Sequence, residues 1–395
     1  MTRLLLLADD LTGALDTGVF FPGAQVFPDA AVSAQAPFRL LCLDSRHLSP
    51  QDAAARTMQA VSENNAEMIY IKTDSLLRGH AGAQLGALAQ MRGPVFFAPA
   101  YPANGRTTVN GVVYVHGVRL SETAAAQDPL NPVKSDAVRD ILAQESDVEV
   151  ISIQPGDPIP KNFRGVVLCN TATDADLDAA ARQALALGFR NFAGCAGFAR
   201  ALSEALYGHS RDAQLRLRST RLLVLSASIH PATFEQLSTA RSLGIPGVWL
   251  YDGGHGEQQL GAAAAKTARL LKSSPCTMLA AAFNDTQHSK NANFFKSLHI
   301  AAQDAARQIT SELSNCAVHA LAHAAATPFV IGGDTLRAFC GATGLVSITP
   351  HASLAPGIIY CMAYDQRGRE KALITKSGGF GDAACILDLA DQFAR

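Results

Sequence analysis

Short apolar runs alternate with alanine-rich stretches and polar turns along the first half of the chain. Residues 4–8 (Leu-Leu-Leu-Leu-Ala) read as a buried strand, and 38–43, 68–71 and 95–97 as further strands. Helices are predicted from Ser49 or Pro50 and over 81–90. This alternation predicts a parallel sheet covered by helices. Residues 106–109 and 112–115 break the rhythm around Asn110-Gly111, a pair suited to a type I′ turn, and predict a β-hairpin. The pattern resumes with strands at 148–153 and 165–169 and a helix at 172–187. The polar stretch from Gly208 to Gln214 marks a boundary. Beyond it come a strand at 222–225, helices at 233–242, 261–272 and 299–324, and strands at 329–331, 358–362 and 373–375. Residues 284–293 are polar and read as a mobile loop. The expected fold is α/β, with two domains (1–212 and 213–395), each a mostly parallel sheet flanked by helices. The active site is expected in the cleft between them.

A chain of 395 residues is long enough for two separate cores. Hydrophobic residues make up 48% and charged residues 17%, so much of the chain is expected to be buried. A net charge of −1 gives no global attraction to nucleic acid or to an anionic membrane, and any anion must be gripped locally. No run approaches the 18 or so apolar residues of a membrane span. Asp9 ends the first apolar run too early for a signal peptide, and the expected location is the cytoplasm. None of the eight cysteines forms a CxxC pair, which favours buried free thiols. The eleven histidines show no metal-ligand spacing.

Five turns carry candidate chemistry, each where a strand ends. Asp9, Asp10 and Asp16 follow the first strand, where open α/β sheets bind ligands. Such acids accept a proton from a hydroxyl or hold Mg²⁺; the plainer alternatives are helix capping for Asp9 or Asp10 and a favourable helix-end position for Asp16. Lys72, Asp74, Ser75 and Arg78 form the second turn, which gathers a carboxylate, a hydroxyl and two cations. Its plainer alternative is a solvated loop with an Asp74–Arg78 salt bridge. Asp44-Ser45-Arg46 is the third, and the segment 99–106, with Asn104 and Arg106, is placed to close the same polar rim or simply to shape a loop. Gly332-Gly333-Asp334-Thr335 and Lys376-Ser377-Gly378-Gly379-Phe380-Gly381 are glycine turns whose backbone N–H groups can approach a phosphate. No P-loop, GxGxxG, GxSxG or HExxH motif is present.

Taken together, these segments resemble the four-carbon acid sugar kinase family. Residues 8–18 match its ADDxTGAxDxG opening, 72–79 its KxDSxLRG segment and 99–107 its PAxPxNGRT segment. Residues 332–335 match its GGxT turn, and 376–381 its KSGxFG turn. The resemblance implies an N-terminal domain that binds the acid sugar, a C-terminal domain that binds ATP, and phosphorylation of a terminal hydroxyl of threonate, erythronate, 3-oxo-tetronate or a similar acid. It implies Asp10 and Asp74 as catalytic groups. Substrate contacts are implied for Asp9, Asp16, Ser45, Arg46, Lys72, Ser75, Arg78, Asn104 and Arg106, with Arg78 and Arg46 on the carboxylate. Nucleotide contacts are implied for Ser228, His230, Gly332, Gly333, Asp334, Thr335, Ser377, Gly378 and Gly381. ATP and Mg²⁺ are the implied cofactors, with the protein residues that hold the metal undefined. The expected partners are the sugar acid and ATP, without nucleic acid or membrane, and homo-oligomerisation stays open. One departure stands out. Where the family carries GSxS, this chain has Ala227-Ser228-Ile229-His230, with His230 at the second serine's position. Two competing readings are a haloacid-dehalogenase-like phosphatase, which needs a D-x-D spacing that the adjacent Asp9 and Asp10 do not give, and a non-catalytic sugar-acid sensor.

Overall fold

Four consecutive leucines, Leu4 to Leu7, are wholly buried, as expected of a strand covered on both faces in a parallel sheet. A computed structural model describes residues 2–28, 37–123, 135–208 and 220–394. The chain packs as two units, Met1–Asp212 and Ala213–Arg395. Of the polar stretch that the sequence marks as the boundary, residues 209–214 lie outside the described residues.

Unit 1 begins with β1 (Thr2–Ala8), α1 (Leu11–Gly18), β2 (Gln25–Phe27), β3 (Phe38–Cys42), α2 (Pro50–Glu63), β4 (Ala66–Lys72), α3 (Ala81–Arg92) and β5 (Val95–Ala98). A separate antiparallel sheet follows, β6 (Arg106–Val109), β7 (Val112–Val115) and β8 (Val118–Arg119). Then come α4 (Val138–Ala143), β9 (Val150–Ile153), β10 (Val166–Cys169), α5 (Asp174–Ala186), β11 (Asn191–Gly194) and α6 (Ala196–Tyr207). The main sheet runs β2-β3-β1-β4-β11-β5-β10-β9, with every described pair parallel. The expected Asn-Gly hairpin is present, and Asn110 and Gly111 both have positive φ, 50° and 77°. The side chain of Asn170 fastens it to the main sheet. Its Oδ1 accepts from the Gly111 N–H at 2.7 Å while its Nδ2 donates to Ser152 Oγ and Ile153 O, each at 2.9 Å. Ser49 caps α2 and Pro50 opens it, which places the start where the sequence predicts it.

Unit 2 contains β12 (Leu222–Ser226), α7 (Pro231–Ser242), β13 (Gly247–Trp249), α8 (Glu257–Ser273), β14 (Cys276–Ala280), α9 (Asp285–Ser297) and α10 (Ala302–His323). It continues with β15 (Thr327–Ile331), α11 (Gly333–Thr343), β16 (Leu345–Ala355), β17 (Ile358–Asp365), β18 (Glu370–Lys376) and α12 (Cys385–Ala394). Its strands run β13-β14-β12-β15-β18-β17-β16. The first four pairs are parallel, whereas β18, β17 and β16 form an antiparallel meander that the sequence pattern does not announce. The core packs Leu222, Val224, Phe329, Ile331 and Ile374 of the sheet against Leu237, Ile386, Leu389 and Phe393 of α7 and α12.

One expectation is overturned. Residues 284–293, read as a mobile loop, form most of α9. Asn284 is its N-cap and accepts the Gln287 N–H at 3.0 Å. Only Asn291 and Phe295, one turn apart, are buried. A stripe that narrow leaves the rest of the helix polar, and the composition reads as loop. All eight cysteines are buried. Among the described residues no helix is long and apolar enough to cross a membrane.

Candidate active site

Each unit presents its candidate residues at the carboxyl ends of neighbouring parallel strands whose connections diverge, the position at which open α/β sheets bind ligands. In unit 1, β1 and β4 are neighbours. The chain leaves β1 towards β2 on one side, and leaves β4 towards β5 on the other. In unit 2, β12 and β15 are neighbours, and the chain leaves β12 towards β13 and β15 towards β16 on opposite sides.

In unit 1, Asp10 both caps α1 and belongs to a charged cluster. Its Oδ1 accepts from the Gly13 N–H at 2.6 Å and the Thr12 hydroxyl at 2.7 Å. The capping alternative therefore holds without excluding a chemical role. Arg46, from the turn after β3, donates through Nε to Asp9 Oδ2 at 2.8 Å and through Nη2 to Asp10 Oδ2. Its Nη2 also lies 3.8 Å from Asp74 Oδ1. Arg78 grips Asp74 through two bonds of 2.9 Å, Nε to Oδ2 and Nη2 to Oδ1. The Asp74–Arg78 salt bridge of the plainer reading thus exists, but Asp74 is buried rather than solvated. Lys72 is buried beside this group, and its ammonium acts on Asp9, Asp10 and Asp74. Arg106 feels both Asp74 and Arg78. Three carboxylates therefore share one locality with four cations, which leaves one positive charge in excess.

The carboxylates differ in character. Burial alone would raise all three. At Asp10, Arg46, Lys72 and the Gly13 N–H outweigh it and draw the carboxyl down to about 2. At Asp74, Arg78 and Arg46 outweigh it further and hold the carboxyl well below the usual range. At Asp9 burial prevails, assisted by the charge of Asp10, and the carboxyl is raised. Asp9 Oδ1 is buried and finds no hydrogen-bond partner among the described residues.

The other expected residues of this unit are near or further off. Ser45 is buried next to Arg46, and its hydroxyl accepts from Gln84 Nε2 at 3.4 Å. Ser75 is buried in the turn after β4. Asn104 accepts from Arg106 Nη1 through its backbone oxygen at 2.6 Å, while its buried Nδ2 has no partner among the described residues. Asp16 lies on α1 near Tyr101 and Cys195, and helps burial to raise both.

In unit 2 three turns meet. They follow β12, β15 and β18, which are consecutive in the sheet. Thr335 Oγ1 accepts from the Ala227 N–H at 3.3 Å, and the Gly332 N–H donates to Lys376 O at 2.8 Å. The helix α11 begins at Gly333, with Gly332 at φ 95° as its N-cap and no side chain capping it. The N–H groups of Gly333, Asp334 and Thr335 thus belong to a first turn that has no intrahelical acceptors. Ser228 Oγ accepts from the His230 N–H at 3.2 Å and lies 3.2 Å from Thr233 Oγ1. A Cβ on Gly378 would stand 3.1 Å from Ser228 Oγ, and one on Gly379 3.0 Å from His230 Nε2. His230 caps α7, its Nδ1 accepting the Ala232 N–H at 3.2 Å. Asp334 is exposed, and Ser377 and Gly381 flank the third turn. Three residues outside the expected set organise this turn. Thr233 donates to Gly378 O, Gln236 to Phe380 O and Gly381 O, and Lys376 to three carbonyls. Thr233 and Gln236 lie one turn apart on α7, and nothing in the sequence marks the Lys376 ammonium as buried.

A sugar-binding N-terminal domain model matches residues 4–202, and a nucleotide-binding C-terminal domain model matches residues 223–386. A D-threonate kinase of Salmonella typhimurium is 26% identical, over 98% of this chain and 97% of that one. The chain belongs to the four-carbon acid sugar kinase family. Members of this kinase family are phosphotransferases acting on a sugar acid hydroxyl, and so is this one. A second relative, a D-erythronate kinase of Heliobacterium modesticaldum, is 28% identical over 61% of each chain. A crystal structure of a protein from Salmonella typhimurium LT2 has a TM-score of 0.77 at 20% identity, with both chains covered entirely. That likeness speaks to the fold.

Proposed function

We propose that the protein transfers the γ-phosphoryl group of ATP to the terminal hydroxyl of a four-carbon sugar acid of the threonate, erythronate or 3-oxo-tetronate type. Unit 1 holds the acid and unit 2 the nucleotide. The observation that carries this reading is the charge cluster of unit 1. With one cation in excess at the end of a parallel sheet, it suits a small monoanion that also has hydroxyls to place. Arg78 and Arg46 are rigid forks matched to a carboxylate, and each is already oriented by an aspartate. Lys72, Arg106, Asn104, Ser45 and Ser75 supply further donors around them, with Asp9 and Asp16 as acceptors.

Asp10 and Asp74 stay ionised at neutral pH, so both accept a hydrogen bond from the reacting hydroxyl. A carboxylate with a pKa near 2 is a weak base. Its work is to orient the hydroxyl oxygen and take its proton late, which suits the loose transition state of phosphoryl transfer. The oxygen bonds to the γ-phosphorus, the bond to the bridging oxygen breaks, and ADP leaves. Transfer in one step requires both ligands to meet in one water-excluded space; otherwise water competes as acceptor.

In unit 2 the uncapped first turn of α11 and the glycine turn after β18 suit phosphate oxygens. Ser228 and Thr335 add hydroxyls. Because His230 Nδ1 accepts from Ala232, the proton of the neutral ring sits on Nε2, as a donor beside Gly379. His230 therefore replaces the family's serine as a phosphate donor. Among the described residues no three His, Cys, Asp or Glu gather to hold a metal. The residues fit Mg²⁺ only as a companion of the phosphates, which is its usual mode. If bound with the phosphates, the ion would neutralise their charge, and the exposed Asp334 carboxylate in the first turn of α11 offers a protein oxygen to meet it.

The test is ADP release measured by a coupled assay over a panel of four-carbon acids, with the phosphorylated acid identified by mass spectrometry. ADP and phospho-acid in equal amounts for at least one acid support the reading. Acid binding without turnover, or phosphate release from a phospho-acid without ATP, rejects it.

A further inference from the structure

We propose that Lys376 is a positioning residue of the nucleotide site: it draws the carbonyls of residues 377–381 inward so that the loop's N–H groups face the phosphates, and it touches no phosphate itself. The proposal rests on the reading of unit 2 as the nucleotide unit. In sequence, a lysine followed by Ser-Gly-Gly invites the opposite reading, a cation offered to the ligand. The geometry speaks against it. Lys376 is wholly buried at the end of β18, flanked across the sheet by Ile331 and Ile358. Its Nζ donates to Ser377 O at 3.1 Å, Gly378 O at 3.0 Å and Phe380 O at 2.8 Å. An ammonium has three protons, and all three are used.

The consequence follows from peptide geometry. In a trans peptide the C=O of one residue and the N–H of the next point in opposite directions. Carbonyls 377, 378 and 380 turned towards Lys376 therefore turn the N–H groups of Gly378, Gly379 and Gly381 away from it. None of these three N–H groups has an acceptor among the described residues. Successive outward N–H groups of this kind make an anion-binding concavity. α7 reinforces the arrangement without charge. Thr233 Oγ1 donates to Gly378 O at 2.9 Å, and Gln236 Nε2 to Phe380 O at 2.9 Å and Gly381 O at 2.8 Å. The glycines leave open the face that a side chain would obstruct, towards Ser228 and His230. Burial draws the Lys376 ammonium down to about 8. The titratable group that acts on it is Cys385 of α12, whose thiol burial pushes up to about 11 and which is neutral around pH 8.

The test uses the full-length protein and ADP as the calorimetric probe, with steady-state KM values for ATP and for the acid. Lys376→Met should weaken ADP and raise the KM for ATP at least tenfold, while the KM for the acid changes less than twofold. Lys376→Arg decides between positioning and contact. A lysine that met phosphate would be rescued by arginine, which keeps the charge and binds phosphate well. A planar fork cannot meet three converging carbonyls, so no rescue is expected, and rescue overturns the proposal. Thr233→Val removes a neutral bond to the same loop and should cost about threefold in ADP affinity; an unchanged affinity counts against the proposal even if Lys376→Met does not fold. ADP affinity of the wild type should fall as pH rises past about 8, when the amine loses one donor, and Lys376→Met should lack this fall. A pH profile shared by both proteins rejects the role. Should ADP bind Lys376→Met normally while Gly332→Val weakens it, the role of Lys376 fails and the nucleotide site stands. Should both variants bind ADP normally, the nucleotide site lies elsewhere.

Discussion

Replacing Arg46 by methionine keeps an apolar stem of similar length and removes a cation from a buried group of three carboxylates. The loss can be sized from what Arg46 holds. Asp10 sits at about 2 against an ordinary 3.8, which at about 1.4 kcal/mol per unit amounts to roughly 2 kcal/mol, shared with Lys72 and the Gly13 N–H. Asp9 loses a charged hydrogen bond of 2.8 Å, worth about 1.5–3 kcal/mol. Removing one partner of a buried pair costs about 3–5 kcal/mol in general. Arg46 keeps 17% of its side chain in solvent, so the lower end applies, about 3 kcal/mol. With a urea dependence of about 1–3 kcal/mol per molar, the unfolding midpoint at pH 7 should fall by about 1 M or more. The pH dependence fixes the sign. In the wild type Asp10 is depressed, so its contribution is present above the ordinary carboxylate range and is lost as pH falls towards 2. In the variant Asp9 and Asp10 are raised, so stability is present at low pH and lost as pH rises through the shifted values. The gap between the two proteins should therefore narrow from pH 7 to pH 5. Urea unfolding followed by circular dichroism at both values reads it. A variant with the wild-type midpoint at pH 7, or a gap that widens on acidification, would refute the cluster as the source of its own stability.

Other substitutions separate binding from chemistry and packing. Asp10→Asn should cut turnover at least a hundredfold and leave ADP affinity within twofold in calorimetry; unchanged turnover removes Asp10 from the mechanism. Gly378→Val brings a branched side chain to a backbone whose Cβ position already lies 3.1 Å from Ser228 Oγ. ADP affinity should drop at least tenfold with the KM for the acid unchanged, and normal affinity would show that the nucleotide does not approach there. Asn170→Ala leaves the Gly111 N–H without its acceptor and should cost about 1–3 kcal/mol. Hydrogen exchange should localise the loosening to β6 and β7, and protection there equal to the wild type would contradict it.

Much of this molecule is legible in its sequence, because parallel strands buried on both faces produce unbroken apolar runs, and the turns after them carry its most polar residues. β1, β4, β12 and β15 are readable for that reason, as is the hairpin at Asn110-Gly111. Short or mixed strands are not. β11 is four residues containing Asn191 and Gly194, and β16 contains Pro350 and His351, so neither has a strand's usual profile. α9 is hidden for the opposite reason, since its two buried residues are too few to show a period. The five candidate turns are visible as residue types, but their grouping depends on strand order. Arg46 reaches Asp9 because β3 lies beside β1, and the turn after β18 meets that after β12 because β15 alone separates them. The deep burial of Lys376 is invisible because a lysine that ends a strand looks solvent-exposed in any sequence profile.

The eight buried thiols turn the folded chain into its own opening sensor. Cys42, Cys169 and Cys195 lie in unit 1; Cys276, Cys316, Cys340, Cys361 and Cys385 lie in unit 2. Burial pushes Cys169 and Cys276 up to about 12, and Cys316 and Cys385 up to about 11, so alkylating reagents meet almost no thiolate until a segment swings out. The rate at which each sulfur is tagged therefore clocks the unfastening of the element that carries it. Cys385, whose sulfur packs against the Gly381 bend, would report how firmly a bound nucleotide holds that bend shut.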